Sequence, residues 1–72
     1  MPFVHIQIVK GVLKDDIAAR KANITRGVVD AINEQTGLAK DLVWVVFEEV
    51  PNTEWFIGEK SVEQIWQERD ER

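Results

Sequence analysis

Residues 42–47, Leu42-Val43-Trp44-Val45-Val46-Phe47, form an almost continuous apolar run. That pattern marks a strand buried on both faces, of the kind common in parallel sheets. A parallel neighbour must be reached by a crossover of a dozen or more residues, usually a helix. The chain upstream supplies both pieces. From Phe3 to Val9 the residues alternate, with Val4, Ile6 and Ile8 on one side and Phe3, His5, Gln7 and Val9 on the other. The first set is wholly apolar and β-branched, so it is expected to face a helix. The second is mixed, which suits a face half covered by another subunit. Lys10-Gly11 ends this strand.

The intervening helix is read from Ile17, Lys21, Ile24, Val28, Ala31, Ile32 and Gln35, which recur at steps of three and four and trace one face. Asp15 or Asp16 is the expected N-cap. Lys21 interrupts the stripe, its stem packing while its head snorkels to water. Thr36-Gly37 closes the helix, with glycine suited to the left-handed position. Strand, helix and strand make a β-α-β unit with parallel strands and a right-handed crossover, an α/β (α+β) fold. Glu48-Glu49-Val50 is expected to leave the second strand, and Pro51-Asn52-Thr53-Glu54 to turn. Trp55-Phe56-Ile57, ahead of Gly58, is a short apolar arm expected to pack on a neighbour. Ser61 and Gln64 stand at capping-box spacing and start a short helix. Residues 67–72 are charged and expected to fray. Residues 1–72 read as a single domain.

A two-stranded sheet with one helix is not self-sufficient. Seventy-two residues bury a modest core, roughly 60% of the unfolded surface. The chain has no cysteine, which removes disulfides and thiolate metal sites, and one histidine cannot hold zinc alone. Neither metal nor cofactor is therefore expected, and oligomerisation remains as the stabilising device. The formal net charge of −4 argues against nucleic acid. No apolar stretch approaches the length of a membrane span, and no basic region followed by an apolar run opens the chain. A cytoplasmic protein is expected.

With these residues in place, the chain resembles the 4-oxalocrotonate tautomerase family within the tautomerase superfamily. The resemblance rests on Met1-Pro2, the first strand ending in Gly11, Arg20-Lys21 on the helix, and the second strand running into Glu48-Glu49-Val50. Trp55, Ile57-Gly58 and Ser61-Val62 complete it. It implies a β-α-β fold with a C-terminal hairpin, assembled as a hexamer from three dimers. It also implies keto–enol tautomerisation of 2-oxo acids by the N-terminal proline, with two arginines binding substrate and an aromatic wall. Pro2 matches the proline, and Trp55 stands where the parent enzyme has phenylalanine. Val12 stands where the family often has one arginine, and Trp44 where the parent enzyme has the other. Glu59 replaces a usual glycine.

Once Met1 is removed, Pro2 carries a rigid secondary amine. Apolar surroundings disfavour its cationic form and leave a base able to move a proton between carbon and an enol. Trp55 would be a dry wall, contributed by a neighbouring subunit, or simply interface packing. Lys14 and Arg20 are candidate cations for a substrate carboxylate and for the developing oxyanion, or solvated surface charges. Trp44 is an apolar pocket residue or a core or interface tryptophan. His5 reads as a strand-surface or interface residue. Glu48 and Glu49 face opposite sides and form no acid–base dyad. The expected function is a tautomerase acting on a small enol or 2-oxo acid. Hydration, dehalogenation or decarboxylation, or a non-catalytic place in a mixed hexamer, are the alternatives.

Overall fold

The computed structural model describes residues 1–70. Phe3–Val9 forms β1, Ile17–Thr36 forms α1, and Trp44–Val50 forms β2. A hairpin of β3 (Phe56–Ile57) and β4 (Lys60–Ser61) follows, and α2 (Val62–Asp70) ends the described chain. β1 and β2 pair in parallel, with Phe3 opposite Trp44 and Val9 opposite Val50. The ladder is closed at both ends. Trp44 N–H donates to the Pro2 carbonyl at 3.0 Å, and Lys10 N–H donates to the Val50 carbonyl at 2.7 Å.

β2 begins and ends later than the apolar run. Leu42 belongs to a 3-10 turn, Lys40–Leu42, in which its N–H reaches the Ala39 carbonyl. Glu48, Glu49 and Val50 remain in the strand because Gln7, Ile8 and Val9 offer them partners. The strand is also not covered on both faces within one chain. Val45, Phe47 and Glu49 are half-buried on the helix side, whereas Trp44 and Val46 are 57% and 41% exposed on the other.

α1 lies over the half-buried face. The Lys21 ammonium stands 3.2 Å from the Glu49 carboxylate and 5.8 Å from the centre of the Phe47 ring. Its head therefore turns to the sheet rather than to water, because a carboxylate on the inward side of β2 meets it there. Asp16 occupies the N-cap position in a left-handed conformation, φ 47°, and its side chain makes no capping bond. Asp15 does not cap either: its carboxylate is taken by the Arg20 guanidinium at 2.7 Å. The C-terminal end matches the sequence expectation. Gly37 adopts φ 74° and returns its N–H to Asn33 at 2.8 Å.

The capping box at α2 is present. Ser61 N–H donates to Gln64 Oε1 at 2.9 Å, and Gln64 N–H donates to Ser61 Oγ at 3.2 Å. Val62 N–H donates to the Trp55 carbonyl at 2.8 Å and Glu63 N–H to the Asn52 carbonyl at 3.1 Å, tying the turn, hairpin and helix into one knot. Ser61 and Val62, 7% and 5% exposed, are the most buried of the described residues. α2 runs to Asp70, past Gln67 where the frayed tail was expected to begin; residues 71 and 72 lie outside the described residues.

The chain measures 47 × 26 × 17 Å with a radius of gyration of 15.7 Å. A compact chain of this length would have about 11 Å. Phe3, Trp44, Phe56 and Ile57 are each more than half exposed. Among the described residues, no helix is long and apolar enough to cross a membrane.

Candidate functional site

Pro2 directly precedes β1 and is half-buried. The Trp44 N–H bond to its carbonyl fixes the residue as the first rung of the parallel ladder. A nitrogen at this position sits at the end of a rigid strand rather than on a loose terminus. The outward sheet face beside it carries the paired positions Phe3 and Trp44, then His5 and Val46, then Gln7 and Glu48. Phe3 and Trp44 place aromatic surface next to Pro2 along the sheet.

Further along the same face lies a polar cluster. The Glu48 carboxylate accepts from Gln7 Nε2 at 2.9 Å and stands 3.0 Å from His5 Nε2. The Gln7 amide holds the Glu48 carboxyl below its ordinary value against a smaller opposing effect of desolvation; His5 adds to the lowering. Glu49 points to the helix side and pairs with Lys21, so the adjacent carboxylates serve separate faces.

The other predicted site residues lie at the far end of the strands. Pro2 and Val9 are about 23 Å apart along an extended strand. Lys14 follows Gly11, beyond that far end. Arg20 is in the first turns of α1 and is committed to Asp15. Trp55 follows the end of β2, half-buried, with its carbonyl held by Val62. Beyond the hairpin, in α2, the Trp66 ring lies beside Gly11. Within one chain the structure therefore brings Pro2 together with Trp44, and not with Lys14, Arg20 or Trp55.

A separate cleft of about 520 Å³ opens at this far end, lined by Gly11, Val12, Lys14, Trp66, Arg69 and Asp70. Gly11 has φ 101°, and a Cβ there would meet Trp66 Cζ3 at 3.5 Å. Trp66 and Arg69 were absent from the sequence-based site. Their three-residue spacing on a helix, which puts side chains on one face, is the signal that could have found them. Among the described residues, no cluster of three or more His, Asp or Glu side chains could hold a metal ion.

A family model described as tautomerase enzyme matches residues 2–65. Solved structures share the fold. TomN, a 4-oxalocrotonate tautomerase homologue in the tomaymycin biosynthetic pathway, is 26% identical with a TM-score of 0.75 over 92% of this chain and 95% of its own. A 4-oxalocrotonate tautomerase isozyme from Methylibium petroleiphilum is 28% identical, with a TM-score of 0.75 over 89% and 97%. A heterohexamer 4-oxalocrotonate tautomerase from Chloroflexus aurantiacus J-10-fl is 23% identical, with a TM-score of 0.76 over 90% and 98%. Comparison with curated proteins gives no significant match. The match over nearly the whole chain, starting on the proline that the first rung of the sheet holds in place, makes this chain a member of the tautomerase family.

Proposed function

We propose that the chain is a cofactor-independent tautomerase that interconverts the enol and keto forms of a small 2-oxo acid. After Met1 is removed, the Pro2 amine takes a proton from the enol hydroxyl or from carbon next to the carbonyl. It returns that proton at another carbon. The observation that carries this reading is the bond from Trp44 N–H to the Pro2 carbonyl in a chain of the tautomerase family. It holds the ring nitrogen at one place on the edge of an aromatic surface formed by Phe3 and Trp44. Apolar surroundings disfavour the ammonium form and keep a base available near neutral pH.

The active assembly is an oligomer, read as a hexamer built from dimers. Its support is the elongated chain with a radius of gyration of 15.7 Å and its exposed Phe3, Trp44, Phe56 and Ile57. Because Trp55 and Pro2 lie at opposite ends of the parallel strands, Trp55 walls the Pro2 of a neighbouring copy. Lys14 is the better candidate than Arg20 for a substrate carboxylate, since the Arg20 guanidinium already holds Asp15 at 2.7 Å. The protein works in the cytoplasm.

The test pairs intact mass with a kinetic assay. Mass shows whether Met1 is removed. Ketonisation of phenylenolpyruvate and of 2-hydroxymuconate is then followed in wild type and Pro2→Ala. The variant is expected to lose activity by about a hundredfold or more, the range of a positioned general base. Equal rates in the two proteins, with Met1 absent from both, sink the mechanism.

A further inference from the structure

Lys14 stands in a connector, residues 11–16, that the backbone ladder holds only at its ends. A turn bond from Val12 N–H to the Val9 carbonyl opens it at 3.2 Å, and a bond from Arg20 N–H to the Asp16 carbonyl closes it at 2.9 Å. Between them, among the described residues, neither the Leu13 nor the Lys14 N–H donates to a backbone carbonyl. The Lys14 side chain is exposed and has no ion pair among the described residues. A lysine is a point charge on a flexible stem. Where its ammonium works therefore depends on how firmly this backbone is placed.

Two side chains grip the connector, one near each end. At the start, Gly11 turns through φ 101°, and the six-membered ring of Trp66 in α2 lies against it. A Cβ there would meet Trp66 Cζ3 at 3.5 Å and Cη2 at 3.9 Å, ordinary packing distances. Near the other end, Arg20 Nε donates to the Asp15 carbonyl at 2.7 Å and to Asp15 Oδ1 at 3.2 Å, and Arg20 Nη2 donates to Oδ1 at 2.7 Å. The planar guanidinium thus fastens both the backbone and the side chain of the residue next to Lys14. Asp16, one residue on, is held left-handed at φ 47° and ψ 45°. That conformation is costly for a residue with a side chain and persists where the surroundings fix it. The Arg20 and Asp15 side chains are 52% and 72% exposed, so their pairing adds little to global stability. Its consequence is local.

We propose that Trp66 and Arg20 are positioning residues for the tautomerase reaction. They hold the connector near its two ends and so present the Lys14 ammonium to a substrate carboxylate at the Pro2 of another copy. This role rests on the assignment of Lys14 to that carboxylate, and both residues act through Lys14 rather than on the substrate. If a freed connector presents Lys14 correctly about a quarter of the time, apparent affinity falls about fourfold. The fall is bounded by the loss of the ammonium itself, about tenfold for one charge-assisted hydrogen bond.

Ketonisation of phenylenolpyruvate and the ¹⁵N heteronuclear NOE of the Lys14 amide, both measured on the full chain, test this together. Lys14→Met is expected to raise KM about tenfold with kcat little changed. Trp66→Ala and Arg20→Ala are each expected to raise KM about fourfold and to lower the Lys14 NOE. Trp66→Phe, which keeps a flat ring for Gly11, is expected to hold both near wild type. The amide spectrum reports whether each variant folds. In a Lys14→Met background, Trp66→Ala and Arg20→Ala are expected to raise KM no further, because effects that run through one group do not add. A Trp66 that only stabilised the fold would act equally in both backgrounds. The positioning role alone is overturned if Lys14→Met raises KM while Trp66→Ala or Arg20→Ala does not. It is equally overturned if their effects add in the Lys14→Met background, or if the Lys14 NOE is unchanged in either variant. A Lys14→Met protein with wild-type KM instead removes the assignment of Lys14, and the positioning role with it, while Pro2→Ala reports separately on the base.

Discussion

The contact between Lys21 and Glu49 should be measurable as a coupling between α1 and β2. The two side chains are 29% and 27% exposed and 3.2 Å apart, which places the pair between a surface bridge and a buried one. A surface pair contributes about 0–1 kcal/mol, whereas removing one partner of a buried pair costs about 3–5 kcal/mol. A cost of about 1.5–2 kcal/mol is therefore expected for Lys21→Met, which keeps the stem and leaves the Glu49 carboxylate half-covered and unpaired. Part of that cost, about 0.5–1 kcal/mol, belongs to the ammonium over the Phe47 ring. It should persist when Glu49 is neutral. The double-mutant cycle of Lys21→Met with Glu49→Leu separates the two, with an expected coupling of about 1 kcal/mol. Urea unfolding followed by tryptophan fluorescence supplies the free energies. Protein concentration must be equal throughout, since association would otherwise shift the midpoint. A coupling below about 0.3 kcal/mol, within the error of additivity for independent sites, would show that the pair does not join helix to sheet. A Lys21→Met protein as stable as wild type would remove the explanation for the inward lysine altogether.

Two further outcomes follow from local geometry. Ser61→Ala removes the hydroxyl that accepts from Gln64 N–H at 3.2 Å; a loss of about 1 kcal/mol is expected from the cap, read as a lowered thermal midpoint, and a midpoint unchanged from wild type contradicts the capping box. The Glu48 carboxyl is held below its ordinary 4.5 chiefly by Gln7, so its ¹³C-detected titration midpoint should rise in Gln7→Leu. A group with a depressed folded-state value contributes stability above its unfolded value and loses it as pH falls through the folded value. Wild type should therefore exceed Gln7→Leu in stability above about pH 4.5, with the gap closing under acid; a gap that widens as pH falls has the wrong sign.

Local sequence carried a good deal of this architecture, for identifiable reasons. The alternation from Phe3 to Val9, the left-handed Gly37 and the Ser61–Gln64 box all act over a few residues. The last two are satisfied by their own neighbours in sequence, while the alternation sorts β1 into two faces and leaves its ladder partners to β2. Where a distant partner decides the outcome, the pattern misled. Glu48 and Glu49 look like residues leaving a strand, yet opposite Gln7 and Ile8 they continue the ladder. Asp15 looks like a helix cap, yet Arg20, one turn into the helix, takes its carboxylate first. Lys21 looks like a snorkelling surface residue until the sheet places Glu49 above it.

The candidate site shows the same division between chemistry and distance. Pro2, Trp44 and Trp55 are recognisable by type, but type says nothing of separation. A parallel β-α-β unit imposes one: the residue entering β1 and the segment leaving β2 stand at opposite ends of the sheet, whatever the side chains. Seven residues of strand intervene, from Phe3 to Val9. A site that uses both Pro2 and Trp55 must then draw them from two chains. Lys14, Trp66 and Arg69 line a cleft at that same far end, so any part they play at a Pro2 is likewise at the Pro2 of another copy.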